Sequence, residues 1–373
     1  MSWLRLINKT RTGRNFWTPE WLLIAFLPFL ISCMGKASGG SETENPAFGW
    51  QEVSKKYSVT CLAYHRFGDN RYPSTNTPVA AFEKHLKYLS EESFKSYTVS
   101  GLLNDTAALT NERKKVLITV DDGYASFMES GLPLLEKYNM KATLFVNTES
   151  VGWSDFLTWQ ELKELKDKGV EIGSHSHKHS YFVNLPKDKR AKAFEEDLLK
   201  AESLFEEHLG FIPKTYVYPY GEFTQDMIDV LKKHDYVVSF AQNSGVMSDG
   251  SNPYSVSRFP VAGAHVDMDQ FKSKVNMLPL RTEPGDQIPI LVKANQSLKY
   301  SVTLTDEEIG GSFNCFIAGR SANESVTKQG RKLNFDLTVP PNRRRTLVTV
   351  TTRDQNGQWH WFSRLLINPQ VEE

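Results

Sequence analysis

Short apolar runs alternate with amphipathic segments from residue 57 to residue 277. The runs are rich in β-branched residues and too short for helices, so they predict strands, whereas the segments between them repeat apolar residues at helical spacing. The predicted strands are residues 57–64, 116–120, 142–146, 170–172 and 236–241, and the predicted helices are residues 77–89, 128–138, 158–168, 191–209, 227–233 and 267–275. Strands that alternate with helices of this length predict an α/β fold with a parallel sheet and right-handed crossovers.

Capping residues predict where several of these helices begin and end. Thr77 followed by Pro78 is typical of a capping residue and a first helical residue. Thr158 predicts a second capped start, and Gly210 predicts the end of the long helix at residues 191–209.

The pattern changes after a Pro- and Gly-containing stretch at residues 278–286, which we interpret as a hinge. Beyond it the apolar runs are short, turns separate them and no helical periodicity is visible. These runs are residues 288–292, 298–304, 313–317, 333–339, 346–351 and 359–367. They predict a small all-β, sandwich-like C-terminal domain at residues 285–373. Trp359 and Trp361 alternate on one face of the last run, where they either form a sugar platform or, as we prefer, pack against the barrel or in the sandwich core.

The first residues of the chain have the pattern of a secretory signal. Basic residues precede an apolar run at residues 21–31, which contains Pro28 and is shorter than the roughly 20 residues of a bilayer-spanning helix. The run ends in Leu-Ile-Ser-Cys, which resembles a bacterial lipobox. That resemblance implies a lipoprotein signal peptide at residues 1–32, lipidation of Cys33, and a polar tether at residues 33–56.

Charge and cysteine content narrow the function classes. The chain has 44 Lys and Arg residues and 44 Asp and Glu residues, and residues 1–32 carry four of the basic residues and one of the acidic ones. The processed chain is therefore slightly acidic, which argues against nucleic-acid binding by bulk charge. Cys61 and Cys315 lie in different predicted domains, which argues against a structural disulfide.

Two adjacent carboxylates follow the clearest strand. Residues 116–120 end at Asp121 and Asp122, and Gly123 permits a sharp exit turn. Two carboxylates at the end of a buried strand repel each other and lose solvation, and a bound cation would offset both costs. The alternative interpretation is a solvated Asp-Gly turn.

Three histidines follow another predicted strand. His175, His177 and His179 come directly after Gly173 and Ser174, in a chain with nine histidines. Imidazole and carboxylate groups are good ligands for first-row metals, so this cluster and the paired aspartates together favour a metal site. A surface histidine tract is the alternative.

These two stretches carry a family resemblance. The string TVDDG at residues 119–123 is similar to the first motif of the polysaccharide deacetylases, the NodB-like carbohydrate esterases of family four, and HSHKH resembles their second motif. The resemblance covers roughly residues 58–271 and implies a distorted (β/α) barrel of NodB type, which we place at residues 57–277. It implies that Asp121 is the catalytic base and that Asp122, His175 and His179 bind a divalent metal. We expect zinc, with nickel, cobalt or iron as alternatives.

A further histidine and a tyrosine-rich string resemble one branch of the family. Tyr64-His65 is similar to the opening motif of the exported poly-β-1,6-N-acetylglucosamine deacetylases, which implies that His65 is the general acid. His265, in a later loop, is the second candidate, because other members of the family place a late histidine there.

The string YPYG at residues 218–221 also resembles this branch. The resemblance implies that Tyr218, Pro219 and Tyr220 contribute to substrate binding and to oxyanion stabilisation. Most of the family has an arginine two positions before the proline, where this chain has Val217. The residue that orients Asp121 is therefore not identified by this motif.

The resemblance implies a metal-dependent hydrolase that removes N-acetyl groups from N-acetylglucosamine units of an exported or cell-envelope polysaccharide. The alternatives are a deacetylase of peptidoglycan or chitooligosaccharides, an O-acetyl polysaccharide esterase, and a catalytically inactive carbohydrate-binding protein. The lipobox implies a membrane anchor in the envelope of a Gram-negative-type bacterium. Met34 after Cys33 favours the outer membrane facing the periplasm, where polysaccharide export machinery is an expected partner.

Overall fold

The computed structural model describes residues 57–110, 114–306, 309, 311–320 and 323–372. The predicted signal peptide, the tether and Cys33 lie outside these residues. Where the structure describes the chain, no helix is both long and apolar enough to cross a membrane.

Parallel strands form the centre of a curled half-barrel sheet. The strands before residue 278 are β1 (Ser58–Tyr64), β2 (Arg66–Phe67), β3 (Asn76–Thr77), β4 (Lys95–Tyr97), β5 (Lys115–Val120), β6 (Thr143–Val146), β7 (Glu171–Ser174), β8 (Thr215–Val217), β9 (Val238–Phe240), β10 (Val246–Ser248) and β11 (Phe259–Pro260). The sheet runs in the order β10-β1-β5-β6-β7-β8-β9, with β11 also paired to β1 and β4 to β5. Strand β10 is antiparallel to β1, whereas β5 to β9 are parallel to their neighbours. The predicted distorted barrel of NodB type is confirmed.

Helices cover the sheet and bury their apolar sides against it. They are α1 (Val79–Glu91), α2 (Val99–Leu103), α3 (Thr106–Thr110), α4 (Leu132–Lys137), α5 (Trp159–Asp167), α6 (Lys187–Leu209), α7 (Gln225–Lys233) and α8 (Met268–Val275). Phe82, Leu86 and Leu89 of α1 are all fully buried in the main apolar core, as their helical spacing predicts. Helix α5 begins with the reciprocal hydrogen bonds of a capping box at Thr158, and α6 ends at Gly210 in the left-handed conformation.

Two predicted helix starts were wrong. Thr77 does not cap α1, because its hydroxyl donates a 2.6 Å hydrogen bond to the Val261 carbonyl and its backbone belongs to β3. Pro78 takes the capping position instead. The predicted α-helix at residues 128–138 begins with a π-helical turn, Phe127–Gly131, before α4 starts.

A strand-rich region follows residue 277, as predicted. Its strands are β12 (Leu278–Pro279), β13 (Ile290–Leu291), β14 (Ser297–Thr303), β15 (Asn314–Ile317), β16 (Asn323–Glu324), β17 (Val326–Gln329), β18 (Lys332–Thr338), β19 (Arg345–Arg353) and β20 (Trp359–Ile367). One sheet has the order β12-β20-β19-β15-β16, with β13 paired to β20, and a second has the order β14-β18-β17. Their inward residues, such as Val302, Leu333 and Val350, form a core of their own.

The C-terminal strands also pack directly against the barrel. Trp361 contacts Phe259 and donates a 2.9 Å hydrogen bond from Nε1 to the Ser244 carbonyl, which agrees with the packing role that we preferred for it. Trp359 is exposed, so the packing role that we preferred is wrong for this residue. The predicted hinge at residues 278–286 contains β12, which pairs with β20. The predicted boundary between the two domains stays a prediction.

Candidate active site

The carboxyl ends of the barrel strands meet in an open cleft of about 590 Å³. Asp121 and Asp122 follow β5, and His175 follows β7. These side chains meet in the cleft because parallel strands end at the same edge of a sheet. The residues that line the cleft include His65, Asp121, Asp122, Tyr124, Trp153, His175, His179, Tyr218, Tyr220, Arg258 and Arg345.

Asp122, His175 and His179 form a group that could hold a metal ion. One ligand atom from each residue lies within 4.8 Å of the others. Asp122 Oδ1 is 3.3 Å from His175 Nε2 and 3.5 Å from His179 Nε2, and the two Nε2 atoms are 3.1 Å apart. Two imidazole nitrogens and one carboxylate oxygen are a suitable donor set for zinc and for other first-row divalent metals. The residues therefore fit the metal that the sequence motifs imply.

Hydrogen bonding fixes the orientation of His175. Its Nδ1–H donates a hydrogen bond to the Val217 carbonyl of β8, at 2.8 Å. The Nε2 lone pair is then directed at Asp122 and His179. Burial is the main cause that lowers the pKa of His179 to about 4, and a protonated His175 would act in the same direction, so the His179 imidazole is neutral and able to bind a metal at neutral pH.

Asp197 of α6 holds the loop that carries the histidines. Its Oδ2 accepts hydrogen bonds of 2.7 Å from the Ser176 hydroxyl and the His177 amide, and its Oδ1 accepts a 2.9 Å bond from the Lys178 amide. Ser176 in turn accepts a hydrogen bond from the His179 amide. The third histidine of the cluster, His177, contacts the Thr148 hydroxyl through Nδ1 and is not part of the metal group.

Several residues of the site have left-handed backbone conformations. The φ angles are 75° at Asp122, 74° at Ser176, 52° at His179 and 59° at Tyr220. Non-glycine residues seldom adopt positive φ, and such strain persists where the surrounding contacts determine the conformation. The backbone is therefore strained at two metal-group residues and at the turn beside them.

Arg258 is the partner of Asp121. Its Nη1 donates to Asp121 Oδ1 at 2.7 Å and its Nη2 donates to Oδ2 at 2.8 Å, while Thr119 and the Ala241 carbonyl accept its remaining hydrogen bonds. Burial opposes ionisation of Asp121, but the Arg258 guanidinium outweighs it and holds the pKa of that carboxyl below its usual range. Asp121 is therefore an oriented, ionised carboxylate next to the metal group.

The two histidines that we considered as general acids lie in different places. His65 Nε2 is 3.8 Å from Asp121 Oδ2, and the side chain lines the cleft. His265 is exposed, belongs to the short 3₁₀ turn Gly263–His265 and does not line the cleft. The structure places His65 beside Asp121 in the cleft and leaves His265 outside the cleft.

Both tyrosines of the YPYG turn line the cleft, but they differ in their contacts. The Tyr220 ring stacks on Tyr181 at 3.7 Å and contacts His179 at 4.5 Å. Tyr218 also lines the cleft, but its side chain is fully buried and its hydroxyl donates to the Tyr254 carbonyl. Pro219 is buried within the turn. The predicted substrate and oxyanion roles of these three residues stay predictions.

A buried ion pair joins this turn to the C-terminal strands. Arg344 donates from Nε and Nη2 to the two carboxylate oxygens of Glu222, each at 2.7 Å, and its guanidinium lies 4.2 Å from the centre of the Tyr181 ring. The next residue, Arg345, reaches the cleft itself. The C-terminal region thus contributes to the site, which the sequence pattern did not predict.

Sequence reasoning missed Arg258, Asp197 and Arg344. The absent arginine near Val217 left the orientation of Asp121 open, and the structure supplies it from Arg258. The available signal was Arg258 itself, a single basic residue next to the apolar residues of the string SRFPV at residues 257–261. A buried arginine requires a partner. Asp197 lies at helical spacing from buried Phe194, which was a similar signal.

Comparison with known proteins agrees with this geometry. Residues 108–239 match the family described as polysaccharide deacetylase. The chain is 26% identical over 231 residues to a putative polysaccharide deacetylase, YxkH, from Bacillus subtilis, which spans 61% of this chain and 80% of that protein. It is also 26% identical over 226 residues to a poly-β-1,6-N-acetyl-D-glucosamine N-deacetylase from Staphylococcus aureus, covering 58% of this chain and 78% of that protein.

A solved structure has the same fold. The structure of IcaB from Ammonifex degensii superposes with a TM-score of 0.52 at 25% identity, and the match covers 58% of this chain and 97% of that one. The barrel, the strand-end site and the family match lead to one conclusion: the chain contains a polysaccharide deacetylase domain of the NodB type.

Proposed function

We propose that the protein removes N-acetyl groups from N-acetylglucosamine units of an exported polysaccharide similar to poly-β-1,6-N-acetylglucosamine, with zinc as the cation. The observation that carries this proposal is the Asp122, His175 and His179 group beside the oriented carboxylate of Asp121, in a cleft open to a polymer. The name of the Staphylococcus aureus relative supports the substrate class.

In the proposed reaction a cation and the residues around it have different roles. Asp122, His175 and His179 would hold a divalent cation, which would supply Lewis-acid polarisation of the acetyl carbonyl and lower the pKa of a water molecule. Asp121 accepts a proton from the attacking water, because Arg258 keeps its carboxylate ionised and holds both oxygens in a fixed plane.

The leaving amine and the oxyanion require separate donors. His65 lies on the Asp121 side of the cleft and is the proposed source of the proton for the amine nitrogen. The proposed oxyanion donor is the amide N–H of Tyr220. The two following amides, of Gly221 and Glu222, donate to carbonyls within the turn, so the turn has a fixed geometry.

A panel of acetylated substrates tests the proposal. We expect the full-length protein to bind about one equivalent of metal, and to release acetate from β-1,6-linked N-acetylglucosamine oligomers faster than from β-1,4-linked oligomers or peptidoglycan. Asp122→Asn, His175→Ala and His179→Ala should each lose metal and activity together. His177→Ala is the matched control, since its side chain is outside the metal group, and it should keep both.

Other outcomes of the panel would contradict the proposal. Release of acetate only from O-acetylated polysaccharide would make the protein an esterase. Full activity after chelation of the metal would refute metal dependence.

We also propose that Cys33 is lipidated and holds the protein at the outer membrane facing the periplasm, beside polysaccharide export machinery. The basis is the lipobox-like string before Cys33. Cys33→Ser should move the protein from the membrane to the soluble fraction and abolish labelling by a fatty acid, with normal acetate release. Unchanged membrane fractionation of Cys33→Ser would contradict the anchor.

A further inference from the structure

Arg345 brings a positive charge from the C-terminal strands into the deacetylase cleft. It is the first residue of β19, and its side chain is 26% exposed where it lines the cleft. Its guanidinium lies 5.7 Å from the centre of the Tyr220 ring, and that ring contacts the metal-group residue His179 at 4.5 Å. The Tyr220 ring therefore connects Arg345 to the metal group.

The position of Arg345 is fixed by its neighbour. Arg344 is buried, and its bidentate pair with Glu222 ties the start of β19 to the residue that follows the YPYG turn. Arg345 Nη1 is itself 3.5 Å from Glu222 Oε1. The contact with Glu222 restrains the Arg345 side chain before a ligand binds, which reduces the entropy that binding costs.

The chemistry of this corner fits a neutral sugar. A guanidinium has five N–H donors and no acceptor, so it binds hydroxyl and carbonyl oxygens. The stacked rings of Tyr181 and Tyr220 add an apolar face of the kind that packs against the C–H face of a sugar ring. A sugar that has lost its acetyl group instead carries an ammonium, which is a donor with the same charge as Arg345.

We propose that Arg345, with Tyr220, forms a subsite for the sugar next to the reacting one, and that this subsite takes an N-acetylated unit and disfavours a free amine. The inference rests on the proposed function and deepens it. Deacetylation would then avoid positions beside an existing free amine on that side, so the product would carry spaced amines and not blocks of them.

Kinetics on oligomers of defined length test the first part. Arg345→Ala should raise the KM for an acetylated pentamer about tenfold, the loss expected for a hydrogen bond to a charged group, with kcat and metal content unchanged. The KM for the monosaccharide should not change, because it does not reach the subsite. Arg343→Ala is the matched control, since Arg343 is exposed and does not line the cleft, and it should behave as wild type.

Partly deacetylated oligomers test the second part. The wild type should have a KM about threefold higher for an oligomer with a free amine beside the target unit, as expected for two like charges in a solvated cleft. Arg345→Ala should lose that preference, whereas Arg345→Lys should keep it while losing part of the affinity for acetylated chains.

The outcomes separate the inference from the proposed function. Acetate release by the wild type tests the function, and the ratio of variant to wild type tests the subsite. An Arg345→Ala enzyme with a wild-type KM for the pentamer would overturn the subsite, and a preference for acetylated neighbours that survives in Arg345→Ala would overturn its charge selectivity.

Discussion

Two buried arginine–carboxylate pairs have nearly the same geometry and different surroundings. Arg258 with Asp121 and Arg344 with Glu222 are both bidentate, with distances of 2.7–2.8 Å, and all four side chains are almost fully buried. Asp121 nevertheless lines the cleft, whereas Glu222 does not. A buried ion pair adds little net stability compared with apolar residues, so stability alone does not explain either pair. The two pairs differ in the groups that each carboxylate can contact. One pair orients a reactive group, and the other joins two parts of the protein.

Substitutions of the two carboxylates should give the largest difference in turnover. We expect Asp121→Asn to keep its metal and lose activity by about 10⁴-fold, because it removes the base and leaves the metal group intact. Glu222→Gln should reduce kcat far less. Acetate release and metal content of the two variants measure this, and normal turnover by Asp121→Asn would refute the assignment of the base.

His65 lies beside Asp121, and its substitution should give the next largest effect. His65→Ala should lower turnover of an N-acetyl substrate by about 10²–10⁴-fold with metal retained, because the amine leaves only when protonated. An activated aryl ester should lose less, since its leaving group needs no proton.

His265→Ala is the control for His65, and it should change turnover little because its side chain is outside the cleft. If His265→Ala were the more damaging of the two, the late histidine found elsewhere in the family would be the general acid.

Substitution of the two arginines should distinguish the orientation of Asp121 from the attachment of the C-terminal strands. Arg258→Lys keeps the charge but loses the planar fork, so Asp121 can rotate, and we expect kcat to fall by about 10²-fold with metal retained. Arg344→Lys should lower the melting temperature and leave kcat on a monosaccharide nearly unchanged. Equal losses of kcat in the two variants would mean that the pairs have the same role.

The smallest effect on turnover should come from replacing the second pair entirely. Glu222→Gln alone leaves the Arg344 charge buried without compensation and should destabilise the protein by about 3–5 kcal/mol. The double variant Glu222→Gln, Arg344→Met removes both charges and should recover most of that loss. Unfolding by denaturant measures the two free energies, and a double variant as unstable as the single one would contradict this account.

The sequence predicted the parts of the site that follow strands. Asp121, Asp122 and His175 come directly after apolar runs, and parallel strands bring their ends to one edge, so local pattern was sufficient for these residues. Arg258 and Arg344 contact residues more than 120 positions away along the chain, and no local periodicity encodes such a contact. The helix start at Thr77 was wrong for a similar reason, because a distant carbonyl uses the hydroxyl that would otherwise cap the helix.

The distribution of cleft residues along the chain has a consequence for how the enzyme becomes active. His65 lies near the start of the described residues, Arg258 completes the base near the end of the barrel, and Arg345 reaches the cleft from the C-terminal strands. Contacts with such large sequence separation form slowly, because long loops must close before they are made. Arg345 is the last of the cleft residues along the chain, so the whole cleft is present only after residue 345 has been synthesised. We therefore expect the complete cleft to form late in folding, and a chain that ends before Arg258 to lack the residue that orients Asp121.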